Sequence, residues 1–358
     1  MCARRVHSDG QLGNLSGKIV FAEDGAVLHL ACREMKRYIL PLLQAVITVA
    51  LLVWIIGDPK VRQDAGELLK VADLRWAALG LLAGGVNELA GALRWWCCMQ
   101  MAGVPVGLRR ATALHFMGLF ATLFLPGSAG GDAVKIAWVA AEFPGRRIGG
   151  VLAALMDRLT GLVAITLVAT LVAVTRHEWF ASTPTTGTLF RAVMIFFALA
   201  AAALTFWGIT SRPRFIQHHP QWLPMRAQII EIASIFDLFF ADKRRGAAAL
   251  GLSFVAFGAF FLIYYCAARA LRVDVSLVDM MSIMPVVDVV TMLPVTLSGI
   301  GLREKVFETL LGALCGVPAA AAVLVSLGGF GLYACWSLLG APVFLLYRTR
   351  RAKNSHDD

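Results

Sequence analysis

Six long apolar runs constrain this chain more than any other feature, because each is close to the length that crosses a lipid bilayer. They cover residues 38–56, 76–102, 149–175, 189–210, 245–271 and 318–347. A transmembrane helix needs about 20 predominantly apolar residues. Hydrophobic residues make up 58% of the 358 residues and charged residues 16%, whereas soluble domains carry about 25% charged residues. This composition excludes a soluble or disordered chain and predicts an all-α polytopic membrane protein.

Two further apolar stretches, at about 108–142 and 275–316, are interrupted by clusters of Pro, Gly and Ser. Each pattern predicts a helix, a polar break and a second helix of roughly 12–14 residues. At about 1.5 Å per residue, such an arm is too short for a hydrocarbon core of about 30 Å. The sequence therefore predicts about six spanning helices and two re-entrant helical hairpins.

Lysine and arginine are distributed unevenly between the segments that separate these runs. If the N-terminal segment 1–37 is cytoplasmic, 20 of the 33 basic residues fall on the cytoplasmic side and 7 on the outer side. Because basic residues favour the cytoplasmic face, we expect both termini, including the tail 349–358, to be cytoplasmic. The net charge of +10 then reflects topology, and nucleic acid is not an expected partner. Polar residues at every third position predict a helix lying on the cytoplasmic membrane surface over about 221–242.

The two polar breaks resemble each other. The first carries Pro126, Ser128, Gly130, Gly131, Asp132 and Lys135. The second carries Pro294, Thr296, Ser298, Gly299, Gly301, Arg303 and Glu304. The predicted topology opens the first hairpin from the cytoplasm and the second from outside, each between two spanning helices. Such an inverted repeat with paired Pro/Gly interruptions is typical of the substrate site of transporters; the alternative is a pair of structural kinks filled by neighbouring helices.

Ionisable residues inside the apolar runs are further candidates for a functional site, because burying a charge in a membrane is costly. Arg158 is expected to bind a lipid phosphate while Asp157 holds a hairpin or relays a proton; the alternative is a structural ion pair that locks their helix to a hairpin. Arg94 is a candidate ligand or a snorkelling residue, and Asp132 a ligand or a helix N-cap. The weaker candidates are Glu88 and Asp288.

The remaining residues with chemical potential do not form a recognisable catalytic or metal motif. His115 has no second ligand at metal spacing, so we interpret it as a core residue, and we expect no metal and no cofactor. The cysteines are interpreted as small buried apolar residues. Walker, Rossmann, zinc-protease and nucleophile-elbow motifs are absent from the sequence, which favours a function other than catalysis.

These motifs together resemble the lysylphosphatidylglycerol synthase transmembrane family, a flippase-like family that includes the membrane half of multiple-peptide-resistance proteins. The resemblance covers roughly residues 38–348 and implies a lipid-translocating domain in the bacterial inner membrane. Its synthase members carry a further soluble acyltransferase-like domain, for which this chain has no counterpart, so aminoacyl transfer is not expected. The positions that match the family pattern are Pro126, Ser128, Gly130, Gly131, Asp132, Asp157, Arg158, Gly299, Gly301, Arg303 and Glu304.

The leading hypothesis is translocation of an anionic phospholipid or a polyprenyl-phosphate-linked lipid, whose headgroup passes between the two hairpin tips. Four basic residues would neutralise phosphate and three acidic residues would orient them: Arg94, Lys135, Arg158 and Arg303, with Asp132, Asp157 and Glu304. One alternative is an intramembrane lipid-phosphate transferase. The other is a non-transporting membrane partner of a separate lipid synthase or glycosyltransferase. A homo-oligomer is compatible with each.

Overall fold

The computed structural model describes residues 66–68, 70–124, 129–210, 237–238, 241–292, 296, 299–343 and 345. Several sequence expectations lie outside these residues: the first apolar run 38–56, the termini, and most of the surface helix 221–242. The break residues Pro126, Ser128, Pro294 and Ser298 also lie outside them.

The described chain is helical, and nine α-helices can be numbered in chain order. They are α1 (Leu74–Met101), α2 (Leu108–Phe124), α3 (Ala129–Glu142), α4 (Arg147–Phe180), α5 (Pro184–Thr210), α6 (Lys243–Ala270), α7 (Leu277–Met292), α8 (Leu302–Cys315) and α9 (Ala319–Leu338). A short 3₁₀ turn, Pro144–Arg146, joins α3 to α4. The all-α prediction is confirmed for the described residues.

Five of these helices are long and apolar enough to cross a membrane. Their spanning segments are Leu74–Met101, Ile148–Phe180, Pro184–Ala203, Lys243–Ala270 and Ala319–Val343. Each coincides with one of the predicted apolar runs, whose length and composition fix the helix because only a helix satisfies its own backbone in lipid. The chain is therefore a multi-pass membrane protein.

The two interrupted stretches form helix–break–helix hairpins. The first hairpin consists of α2, with 17 residues, and α3, with 14 residues. The second consists of α7, with 16 residues, and α8, with 14 residues. At about 1.5 Å per residue, the second arms are about 21 Å long. That length is shorter than a hydrocarbon core of about 30 Å.

Helices α1 and α6, which precede the two hairpins, pack against each other as antiparallel partners. At one end, the N–H of Asp73 donates to the carbonyl of Ala270 over 2.7 Å. Farther along, Arg94 Nη1 donates to Ser253 Oγ over 3.2 Å. The chain thus runs in opposite directions through the first spanning helix of each half, as an inverted repeat requires.

The hairpins begin at opposite ends of this α1–α6 pair. The first hairpin follows the C-terminal end of α1 and leads into α4. The start of α4 lies beside that same end of α1, since a Cβ added at Gly149 would lie 3.0 Å from the Ala102 carbonyl. At that end Arg110 Nη1 lies 3.4 Å from Glu142 Oε1 and joins α2 to α3. Helix α7 begins at the other end, where Asp279 pairs with Arg176 near the C-terminus of α4. The tips of both hairpins then meet the same interior cavity.

Candidate functional site

A cavity of about 400 Å³ is lined by residues that lie beside both breaks, among them Leu123, Gly131, Met292 and Gly299. Its walls include residues from all nine helices, and its apolar side carries Leu119, Leu123, Leu162, Ile165, Phe196, Phe257 and Phe260. The ionisable residues at its wall are Glu88, Arg94, His115, Asp132, Lys135, Asp157, Arg158, Tyr264, Asp288, Arg303 and Tyr333. The cavity therefore brings together the motif residues of both halves, far apart in sequence.

Arg94 on α1 and Asp157 on α4 form a buried ion pair at this wall. Arg94 Nε donates to Asp157 Oδ1 over 2.7 Å, and Nη2 donates to Oδ2 over 3.4 Å. The third contact, to Ser253 Oγ, ties the same guanidinium to α6. The side chains of Arg94 and Asp157 are only 16% and 10% exposed. Arg94 thus holds three spanning helices together, and its donors are directed to protein groups.

Arg158, the next residue along α4, contacts the first hairpin instead. Its Nε donates to Asp132 Oδ2 over 2.6 Å, while Lys135 Nζ lies 3.6 Å from Asp132 Oδ1. Asp132 lies in the first turn of α3 and not at its N-cap position. Arg158 and Lys135 therefore share the carboxylate of Asp132. Lys135 Nζ also lies 4.7 Å from the ring centroid of Trp95.

Although they are adjacent along α4, Asp157 and Arg158 bind different partners, and the contact of Arg158 with Asp132 is an ion pair between helix and hairpin of the kind that the structural alternative describes. Asp157 pairs with Arg94 and Arg158 with Asp132. The reason is geometric, since consecutive helical residues point about 100° apart at 3.6 residues per turn. Arg158 is the more accessible partner, with 41% of its side chain exposed.

Glycine lets the two arms of the first hairpin approach closely. A Cβ added at Gly131 on α3 would lie 2.5 Å from the carbonyl oxygen of Gly118 on α2, and closer still to the hydroxyl of Thr122. The neighbouring motif residue Gly130 lies in the first turn of α3. This close approach holds Asp132 and Lys135 at the cavity wall, where the motif predicted them.

In the second hairpin, Arg303 lines the cavity with a guanidinium that is buried and only partly hydrogen-bonded. Its side chain is only 8% exposed, and its Nη1 donates to Tyr264 Oη over 3.3 Å. Its Cζ lies 4.3 Å from the ring centroid of Phe330. Nε and Nη2 are buried and have no hydrogen-bond partner among the described residues. Buried donors are normally satisfied, so these N–H groups indicate a place for an acceptor.

Glu304 is not a full hydrogen-bond acceptor for Arg303, because both oxygens of its carboxylate accept hydrogen bonds from other groups near the start of α8. One oxygen accepts from the backbone N–H of Gly301, and the other accepts from Ser326 Oγ on α9 over 2.8 Å. The distance from Arg303 Nε to Glu304 Oε1 is 3.5 Å. Gly301 has a positive φ of 87°, a conformation that glycine adopts without steric cost. Glu304 therefore shapes the turn and partly balances Arg303.

Other residues of the second break lie at the same wall. Gly299 has a φ of 75° and, like Thr296 and Asp288, lines the cavity. Thr296 is 2% exposed, and its Oγ1 has no hydrogen-bond partner in the part of the chain that the structure describes. Together with Arg303, these groups make the second break polar and incompletely satisfied.

The sequence interpretation of His115 missed a contact. His115 Nε2 lies 2.9 Å from Glu88 Oε2, and Asn87 Nδ2 donates to Glu88 Oε1 over 2.7 Å. Both members of the His–Glu pair line the cavity. Among the described residues, no group of three or more His, Cys, Asp or Glu side chains is arranged to hold a metal ion.

The fold and site define a multi-pass α-helical membrane protein with two opposed hairpins around a charged internal cavity. Residues 42–342 match the family model for the lysylphosphatidylglycerol synthase TM region. The chain belongs to this family, as its motifs indicated. It is also similar to a UPF0104 membrane protein from Pyrococcus horikoshii, at 25% identity over 329 residues, which cover 82% of this chain and 91% of that protein.

Proposed function

We propose that this protein translocates a lipid with an anionic, phosphate-bearing headgroup across the cytoplasmic membrane. The headgroup would pass through the cavity between the hairpin tips while the acyl or polyprenyl chains stay in the bilayer. A bacterial inner membrane with cytoplasmic termini is the setting that the distribution of basic residues supports.

The observation that carries this proposal is the pair of buried donors on Arg303 that have no hydrogen-bond partner among the described residues. A guanidinium offers planar, paired N–H groups that match the oxygens of a phosphate. Arg303 Nε and Nη2 are buried without a described hydrogen-bond partner, although Nε lies 3.5 Å from Glu304 Oε1. Arg303 lines the same cavity as Asp132 and Lys135 of the other hairpin. An anion at Arg303 would satisfy these donors and compensate the buried positive charge.

The four cavity cations then have different roles. Arg94 is bound to Asp157 through two contacts and positions helices. Arg158, which is more exposed and paired with Asp132, is suited to receive the headgroup near the cavity rim. Lys135 reinforces the same carboxylate. Arg303 is the deeper phosphate ligand.

Cavity size supports a headgroup as the cargo. Its volume of about 400 Å³ lies within the range of about 300–1,000 Å³ that is typical of small-molecule sites. A diacyl lipid does not fit in that volume, but a glycerophosphate or sugar-phosphate headgroup does. Phe196, Phe257 and Phe260 on the apolar wall are compatible with the chain region next to the headgroup.

Re-entrant hairpins are part of this proposal. The short second arms support them, since non-helical backbone at membrane depth is tolerated only where protein or a wet cavity surrounds it. Gly131, in the first turn after the first break, and Gly299, in the second, line the cavity, which supports such an arrangement.

The transferase alternative requires a nucleophile beside a general base. His115 Nε2 faces Glu88, and its Nδ1 has no hydrogen-bond partner within the described ranges, so no nucleophile there is held by the histidine. An intramembrane lipid-phosphate transferase stays the alternative prediction. A separate lipid synthase or glycosyltransferase partner, and a homo-oligomer, stay predictions.

The proposal is tested by reconstituting the purified chain in vesicles that contain a fluorescent phosphatidylglycerol analogue. Membrane-impermeant dithionite quenches the outer leaflet, and the amount of label that remains protected measures exchange. We expect most of the label to become accessible with the protein, against about half in protein-free vesicles. Equal accessible fractions, together with an absence of phospholipid or polyprenyl phosphate co-purifying by mass spectrometry, would overturn the proposal.

A further inference from the structure

We propose that Glu88 and His115 form a proton-binding site and that one proton accompanies each anionic headgroup through the cavity. This inference rests on the proposed function and extends it to the coupled ion. It assigns a role to a pair of residues that neither the phosphate site nor the helix packing uses.

Glu88 has no permanent cation in direct contact among the described residues. Its carboxylate contacts His115 Nε2 at 2.9 Å and the neutral amide of Asn87 at 2.7 Å. Glu88 is 3% exposed, and within the described part of the chain its ion-pair partner is the histidine. A buried carboxylate without a compensating charge is costly. A proton bound to the Glu88–His115 pair would therefore compensate the negative charge of the Glu88 carboxylate.

The surrounding charges do not remove this requirement. The titratable groups on the helices packed against the pair are Asp132 and Lys135 on α3, Asp157 and Arg158 on α4, Tyr264 on α6 and Tyr333 on α9. On α1 itself, Arg94 is engaged by Asp157. Arg158 is likewise directed to Asp132. Each neighbouring cation thus contacts a carboxylate other than Glu88, with Lys135 and Arg158 sharing Asp132, and the contacts of the Glu88 carboxylate are to His115 and Asn87.

The Glu88–His115 pair lies where a proton could accompany the headgroup. Glu88 lies on the spanning helix α1 and His115 on the hairpin arm α2, and both line the cavity that Arg303 faces. Gly91 makes room for the ring, since a Cβ there would lie 2.8 Å from His115 Cε1. A proton bound here adds one positive charge to the cavity wall, while a phosphodiester headgroup adds one negative charge. Their joint transfer is electroneutral, which avoids moving a net charge through the membrane.

Co-transport predicts the distribution of the lipid at steady state. With the membrane potential clamped at zero, a phosphatidylglycerol analogue should accumulate in the leaflet that faces the higher pH. For one coupled proton the ratio between leaflets reaches at most about tenfold per pH unit, because coupling shifts an equilibrium only by the free energy that drives it. The measurement uses the dithionite assay in vesicles with a gradient of one pH unit, and an internal pH dye counts the protons.

The variants are Glu88→Gln, His115→Gln and the double variant, in which two amides can still hydrogen-bond. We expect their leaflet ratio to fall to about one, while Glu88→Asp, which keeps a carboxylate, retains the gradient response. The matched control is His177→Gln, since His177 also neighbours a glutamate, Glu178, but its side chain is 65% exposed. This control should behave like the wild type.

The outcomes separate the two proposals. No wild-type exchange above protein-free vesicles overturns the proposed function and this inference with it. Wild-type exchange that ignores the pH gradient, or that moves no protons, overturns the inference alone. A Glu88→Gln or His115→Gln variant that keeps the wild-type ratio also overturns it. If the glutamine variants show no exchange at all, Glu88→Asp decides whether the proton site is assigned correctly. A Glu88→Asp variant that exchanges lipid but has lost the response to the pH gradient would contradict the assignment.

Discussion

Arg94 and Asp157, 63 residues apart in sequence, form a two-contact ion pair whose shorter distance, from Nε to Oδ1, is 2.7 Å. This pair connects α1 to α4 inside the membrane region. Because the same guanidinium also donates to Ser253 on α6, it links both halves of the repeat. Its position explains why Arg94 contributes to the architecture of the cavity more than to its capacity for ligands.

Asp157→Asn is expected to destabilise the fold. Removing one partner of a buried ion pair leaves an uncompensated charge and costs about 3–5 kcal/mol. The double variant Arg94→Gln with Asp157→Asn removes both charges and should recover much of that loss. The free energy of unfolding, measured in detergent, checks both. A single variant as stable as the wild type would contradict the pairing.

Gly131→Ala is expected to push apart the arms of the first hairpin. The new methyl group would meet the Gly118 carbonyl at 2.5 Å, and such overpacking typically costs about 1–3 kcal/mol. Gly258→Ala on α6 is the matched control, since a Cβ there has no atom within 4 Å. Thermal unfolding midpoints measure the difference. Equal midpoints for the two variants would show that the arms are not in close contact.

A third prediction concerns Asp242, the N-cap residue that precedes the spanning helix α6. The backbone N–H of Arg245, together with the Arg245 guanidinium, lowers the pKa of Asp242 below its ordinary value of 3.8. A carboxylate with a lowered pKa stabilises the folded state above its unfolded pKa, and the contribution is lost as the pH falls through the folded pKa. Below about pH 4, the first turn of α6 should therefore fray.

Protection factors for the amide of Arg245, corrected for intrinsic exchange, measure this fraying by hydrogen exchange. In Asp242→Asn the cap does not titrate, so its protection should not change with pH. A wild-type protection factor that stays constant down to pH 2 would contradict the role of Asp242 as the titrating cap.

The breaks of the two hairpins are expected to lie at similar depth. Nitroxide labels at Ala133, in the first hairpin, and at Met292, in the second, should both report positions near the bilayer midplane by collision with oxygen and a nickel chelate. Both residues are exposed, so the labels are tolerated. A label at Arg272, on the connection before α7, provides the interfacial reference. Labels at opposite membrane surfaces would contradict the inverted repeat.

Sequence patterns were sufficient for elements whose signal is local. Five predicted apolar runs coincide with helices of spanning length, because a run of that composition has no other stable state in lipid. The glycines at the second break were also predictable, and Gly299 and Gly301 have positive φ values of 75° and 87°. In both cases the information lies within a few consecutive residues.

The partners of the charged residues were not predictable in the same way. Asp132 lies 26 residues from Arg158, and His115 lies 27 residues from Glu88. These distances in sequence carry no periodic signal, since the pairings depend on how the hairpin packs against α1 and α4. From the sequence, His115 is interpreted as a core residue because it has no second ligand at metal spacing. The sequence signal for its contact is Glu88 on the preceding helix α1. Only the packing of α1 against α2 shows that the two side chains face each other.

The most direct test of the account is the translocation rate of Arg303→Lys in vesicles with the fluorescent phosphatidylglycerol analogue. Lysine keeps the charge but loses the planar pair of donors, and charge-assisted hydrogen bonds contribute about 1.5–3 kcal/mol each. We predict a rate at least about tenfold lower, with an unchanged unfolding midpoint. Arg191→Lys on α5, whose Nε donates to the Gly187 carbonyl, should keep the wild-type rate. A wild-type rate for Arg303→Lys would contradict the assignment of the phosphate site.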